Sequence, residues 1–156
     1  MDGLLSEAHL LMSQIHNRKN DLEQGLALSR EALECAEQAG SRHRATIAIR
    51  AICDTHLARG DHARAAAAIK RGLALSEDEA DKYDLAQSYK SLGNVLYNGG
   101  DYHRALESYQ TSLLLCRQSG DEEGTGRIYN NLGNVLQFRD QTAEAAEYYK
   151  LSLIHI

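Results

Sequence analysis

The chain repeats itself every 40 residues, and this self-similarity constrains the fold more than any other feature of the sequence. Ser91-Leu92-Gly93-Asn94-Val95-Leu96 recurs as Asn131-Leu132-Gly133-Asn134-Val135-Leu136. The same offset carries Ala105 onto Ala145, Tyr109 onto Tyr149, Ser112 onto Ser152 and Leu113 onto Leu153. One period earlier, Asp61-His62-Ala63-Arg64-Ala65 falls on Asp101-Tyr102-His103-Arg104-Ala105. One period earlier again stand Asp21, Gly25 and Leu33. The register gives four copies, over about 6–45, 46–85, 86–125 and 126–156. The first two are degenerate, with Ser13 and Cys53 where the later copies have Gly93 and Gly133. A fixed period of this length signals stacked repeats, because one unit cannot bury both of its faces alone.

Each copy reads as two helices. In the third, Leu85, Tyr89, Leu92, Val95 and Leu96 follow helical spacing; Asn98-Gly99-Gly100-Asp101 breaks it; and Leu106, Tyr109, Leu113 and Cys116 resume on one face. Glycine suits the left-handed position that ends a helix, and Asp101 is placed to cap the next. Composition agrees. The chain has 21 Ala and 22 Leu against two Val, and no proline. That mixture favours helix over sheet. The breaks predict helices over about 4–18, 21–39, 42–59, 62–76, 79–98, 102–119, 122–138 and 141–155. Small residues at 93 and 105 are expected to meet where the two helices of a copy cross, with Tyr109 filling the space beside them.

Leu92, Gly93, Leu96, Ala105, Tyr109 and Ser112, with Leu132, Gly133, Leu136, Ala145, Tyr149 and Ser152, resemble the tetratricopeptide repeat pattern. The long period, the Leu-Gly-Asn triplets and the run from Gly120-Asp121 to Arg127 are similar to the repeats of the Pins/LGN polarity adaptors. Arg117 stands where the family often has proline, which suggests that the second helices run on for an extra turn. The resemblance implies an all-α fold, a right-handed superhelical solenoid of four helix-turn-helix repeats with eight helices. It also implies a concave groove lined by the first helix of each copy.

The polar positions opposite the packed face are the groove candidates. They are Gln87, Lys90, Asn94 and Asn98 in the third copy, and Arg127, Asn130, Asn134 and Gln137 with Asn131 flanking in the fourth. The second copy offers Arg50 and Asp54, the first Gln14, Asn17 and Arg18. An asparagine amide has a donor and an acceptor, so it can pair with both groups of an extended peptide backbone. Each such bond contributes roughly 0.5–1.5 kcal/mol net. Arg127 and Lys90 favour an acidic side chain or a terminal carboxylate. In the Pins/LGN family the residues at the positions of Asn94, Asn134 and Arg127 contact acidic peptides, which the resemblance carries to these three. Lys90, Asn94 and Asn131 also match two of three steps of the carboxylate clamp of chaperone adaptors; the third step would need a further copy. The expected function is therefore a protein-interaction module for an extended or helical acidic peptide. The alternative is a self-associating scaffold or spacer segment of a larger signalling protein.

Other chemistries find little support. Net charge is −5 and evenly shared, with 10 basic and 12 acidic residues in 1–80, so nucleic acid is not an expected partner. Cys35, Cys53 and Cys116 form no Cys-x-x-Cys pair, which points to a reducing compartment. His9 with His16, and Cys53 with His56, fall short of a four-ligand zinc site, so no metal or cofactor is expected. Gly120 to Gly126 lacks the Gly-Lys-Ser/Thr ending of a phosphate loop and reads as a turn. The start is too polar for a signal peptide, and no run approaches the ~20 apolar residues of a membrane span. A cytoplasmic, non-enzymatic protein is expected. Leu151, Leu153, Ile154 and Ile156 crowd the last turns, on a surface that the next copy covers elsewhere. The chain is thus expected to be a fragment, or to form a homo-oligomer through this helix.

Overall fold

The computed structural model describes residues 7–12, 14, 21–76 and 82–155. Every regular element among them is helical. The helices are α1 (Leu22–Gln38), α2 (Arg42–Ala58), α3 (His62–Ser76), α4 (Lys82–Asn98), α5 (Tyr102–Ser119), α6 (Glu122–Phe138) and α7 (Thr142–Ile154). Residues 7–12 and 14 are also helical. Most ends lie within a residue of the positions expected from the breaks. Ser13, His16, Asn17, Arg18 and Ile156 lie outside the described residues, as does much of the helix expected over 4–18.

One turn motif ends five of these helices. In each, a backbone N–H reaches back to a carbonyl five residues earlier: Ser41 to Ala36, Asp61 to His56, Asp101 to Leu96 and Asp121 to Cys116, all at 2.9 Å, and Gln141 to Leu136 at 3.0 Å. This closure needs a left-handed residue just before the donor. Glycine supplies it at Gly40, Gly60, Gly100 and Gly120, and Asp140 supplies it at φ 57°. In all but the last, the side chain of the residue after the turn caps the next helix. The Asp61, Asp101 and Asp121 carboxylates accept from the N–H groups of Arg64, Arg104 and Gly124 at 3.0, 3.2 and 2.9 Å. Glycine and aspartate thus do the breaking in a chain without proline.

The chain divides into two units, residues 1–79 and 80–156. In the first, α2 packs against α1 and α3. Its core is small and aliphatic, with Leu26, Ala32, Ala36, Ala48, Ile49 and Ile52 buried. In the second, α5 packs against α4 and α6, and α6 against α7. Its core joins Ala86, Ala105, Tyr109, Ile128, Tyr129, Leu132 and Val135. The Ser112 hydroxyl donates to the Ala86 carbonyl at 2.7 Å, tying α5 to α4 away from water.

The close approach of paired helices depends on Gly93 and Gly133. A Cβ at Gly93 would lie 2.5 Å from Cε1 of Tyr109, and one at Gly133 2.6 Å from Cε1 of Tyr149. The tyrosine ring therefore lies over the glycine itself, where the sequence suggested a place beside it.

Candidate functional site

Helical geometry sets which polar side chains of α4 and α6 gather in the second unit. Residues three and four apart share a face, so Lys90, Asn94 and Asn98 align along α4, and Arg127, Asn130, Asn131 and Asn134 along α6. Two neighbouring pockets result. One, of about 560 Å³, is lined by Lys90, Arg127, Asn130, Asn131, Tyr149, Ser152 and Leu153. The other, of about 180 Å³, is lined by Asn94, Tyr97, Asn98, Tyr109, Asn131 and Asn134. Asn131 belongs to both. Six of the seven leading candidates thus come together. The seventh, Arg50, lies half-buried on α2 in the first unit and lines neither pocket.

Lys90 Nζ donates to Gln87 Oε1 at 2.6 Å. Gln87 Nε2 in turn donates to Asp121 Oδ2 at 3.3 Å, so this expected groove residue braces α4 against the cap of α6. Arg127, 62% exposed at its side chain, pairs with Glu123 one turn earlier. Exposed pairs of this kind are worth little, so a ligand carboxylate can replace Glu123 at small cost.

The asparagines are less free than the sequence implied. Asn94 Oδ1 accepts from the Tyr109 hydroxyl at 2.7 Å, and Asn134 Oδ1 from the Tyr149 hydroxyl at 2.8 Å. Gln137 Oε1 lies 3.1 Å from the Tyr149 hydroxyl. Asn98 donates to the Asn94 carbonyl at 2.8 Å. Burial raises the Tyr109 phenol well above its ordinary pKa, keeping it a donor. Sequence reasoning gave Tyr109 a space-filling role alone. The signal it passed over was the hydroxyl, since a buried tyrosine needs a polar partner where phenylalanine would not.

Elsewhere the side chains are structural. The Cys53 thiol is fully buried and pushed up to about 12 by burial and then by Asp54; burial also raises the Cys116 thiol. Neither is a ready nucleophile. The Gly120–Gly126 segment is a helix start: a Cβ at Gly124 would meet Asp121 Oδ2 at 2.1 Å, so glycine makes room for the capping carboxylate. Tyr97, Tyr102 and Phe138 form an aromatic trio with ring centroids 5.4–5.6 Å apart. Among the described residues no group of three or more His, Cys, Asp or Glu is arranged to hold a metal, and no helix is long and apolar enough to cross a membrane. Leu153 and Ile154 are 76% and 73% exposed on α7.

Residues 84–153 match the tetratricopeptide repeat model. No curated protein matches the chain. Solved structures share its fold, among them three with TM-scores of 0.76–0.81. BtubC (BKLC) from P. vanneervenii is 16% identical with a TM-score of 0.79, covering 99% of this chain and 64% of its own. Pseudomonas aeruginosa pilF is 22% identical with a TM-score of 0.76, covering 99% and 62%. The apo form of RapI is 12% identical with a TM-score of 0.81, covering 99% and 43%. The chain therefore spans about two fifths to just under two thirds of the length of these structures. Tetratricopeptide repeats mediate protein–protein interaction and are not in general catalytic.

Proposed function

We propose that the tetratricopeptide repeats of residues 84–153 dock an acidic peptide segment of a protein partner in the groove between α4 and α6. The observation that supports this reading is the convergence of Lys90, Arg127, Asn130 and Asn131 on one pocket that continues past Asn131 to Asn94 and Asn134. The two cations face a ligand carboxylate, and the asparagines hydrogen-bond the peptide beside it. Similarity to the Pins/LGN adaptors at Asn94, Asn134 and Arg127 points the same way.

The test is fluorescence anisotropy with a labelled deca-glutamate peptide and a deca-lysine control. Deca-glutamate is expected to bind and deca-lysine to fail. Lys90→Glu and Arg127→Glu are each expected to weaken binding about tenfold or more, since a charge-assisted bond worth about 1.5–3 kcal/mol gives way to repulsion. Full affinity in both variants would end the proposal.

A self-associating spacer is the second reading, favoured by the neighbouring exposed Leu153 and Ile154 on α7. It expects a sedimentation coefficient that rises with concentration in the wild type and stays constant in Leu153→Glu/Ile154→Glu. A wild type that sediments as a monomer throughout would dismiss it.

A further inference from the structure

We propose that the groove takes a bipartite peptide: acidic residues meet Lys90 and Arg127, and a large apolar side chain about three to five residues away packs on Phe138 and Tyr97. This rests on the peptide-docking reading and narrows the ligand. The two helices that line the groove carry the same order of chemistry. Along α4, Lys90 is followed by Asn94 and then Tyr97; along α6, Arg127 is followed by Asn130, Asn131, Asn134 and then Phe138. The pockets keep that order. Lys90 and Arg127 share the 560 Å³ pocket, and Tyr97 shares the 180 Å³ pocket with Asn94 and Asn134. The Tyr97 and Phe138 rings meet edge to face with centroids 5.6 Å apart, so the aromatic cluster continues from the asparagine pocket. A further cavity of about 270 Å³ opens at Gln137 and Phe138.

Phe138 is the chain's single phenylalanine, and it stands one period after Asn98. Tyr97 and Tyr102 are half-buried, with ring centroids 5.6 Å apart, and brace α4 against α5. Phe138 stacks on Tyr102 at 5.4 Å but stays 62% exposed. A ring this open gains little by folding, and the preceding copy has an asparagine in its place. Apolar surface left open and rimmed by polar groups marks a binding surface. A ligand side chain set on it takes apolar area of both partners out of water. Charge complementarity defines the rest of the occupant, because the same groove holds two cations. The spacing follows from the helices. Lys90 to Tyr97 is seven residues and Arg127 to Phe138 eleven, or roughly 10 and 16 Å along a helix axis. An extended peptide covers those lengths in about three and five residues.

The experiment uses the full chain and two labelled peptides in fluorescence anisotropy. One has three central glutamates, flanked on each side by Gly-Ser-Gly and then phenylalanine; the other ends in alanine instead. The design is symmetric, so either chain direction brings a ring to Phe138. Wild type is expected to bind the phenylalanine peptide about tenfold tighter. Phe138→Ser is expected to erase that preference and keep the wild-type affinity for the alanine peptide, which shows that the variant is folded; Phe138→Leu is expected to restore most of the preference. Equal affinity of both peptides for wild type, or a preference that survives Phe138→Ser, would overturn the inference. If Arg127→Glu weakens both peptides while wild type shows no preference, acidic docking stands and the apolar contact falls. If the preference depends on Phe138 while Arg127→Glu changes neither affinity, the apolar contact stands and acidic docking falls. If Phe138→Ser instead abolishes concentration-dependent sedimentation and leaves peptide binding unchanged, the surface joins copies of the chain and the inference is overturned.

Discussion

At Gly93 the absence of a side chain does two jobs, bringing α4 and α5 together and seating the Tyr109 ring. Gly93→Ala would gain helix propensity but drive a methyl into an aromatic ring whose hydroxyl is already bound. Overpacking of this kind costs about 1–3 kcal/mol, and chemical denaturation should show a loss in that range; a stabilised variant would contradict the packing. His56 offers a second residue-scale prediction. It is buried, its Nδ1 has no partner among the described residues, and burial, against Asp61 and with Arg64, Arg30 and Arg59, lowers its pKa. The folded state thus prefers the neutral ring, while the unfolded histidine titrates near 6.5. Its contribution is whole above about pH 6.5 and is lost as pH falls through that value toward the lower folded pKa. The melting temperature of the wild type should fall more between pH 7.5 and 5.5 than that of His56→Gln. At this scale the sequence showed which residues were small and which were polar. It did not show that Asn94 and Tyr109 would bond, because that depends on the distance between two helix axes.

The helices begin and end where glycine and aspartate say they should, so this level was the most legible. Leu22, His62 and Tyr102 each follow an aspartate, and a turn closed by glycine precedes His62 and Tyr102. α7 departs from the rule on both counts. Asp140 takes the left-handed position that Gly60 and Gly100 fill in the earlier turns, and Gln141 makes no side-chain cap bond where Asp61 and Asp101 do. A left-handed residue with a Cβ is strained, and a good cap is worth about 1 kcal/mol. Asp140→Gly and Gln141→Asp are therefore expected to stabilise by about 0.5–1 kcal/mol each, raising Tm by about 1–4 °C. Calorimetry on the single and double variants checks this; a lowered Tm in either would contradict the turn geometry. The last helix carries exposed Leu153 and Ile154, and the sequence flagged this apolar surface from its crowded final turns.

For the whole molecule, the net charge of −5 conceals a local inversion: Lys90 and Arg127 share one pocket in the second unit. Composition averages such placement away, which is why the chain's acidity spoke only against nucleic acid. The repeat register supplied the helix face that gathers six candidates in the second unit, while Arg50 belongs to the first. Attraction between the pocket and an acidic ligand is screened by salt, with a Debye length of about 10 Å at 0.1 M. The affinity for deca-glutamate should accordingly fall between 50 and 300 mM salt. The most direct measurement is amide chemical-shift mapping of the full chain titrated with that peptide. The expected result is saturable shifts centred on Lys90, Asn94, Arg127, Asn130, Asn131 and Asn134. Shifts centred on α1–α3, or no shifts at millimolar peptide, would contradict the groove as the docking site.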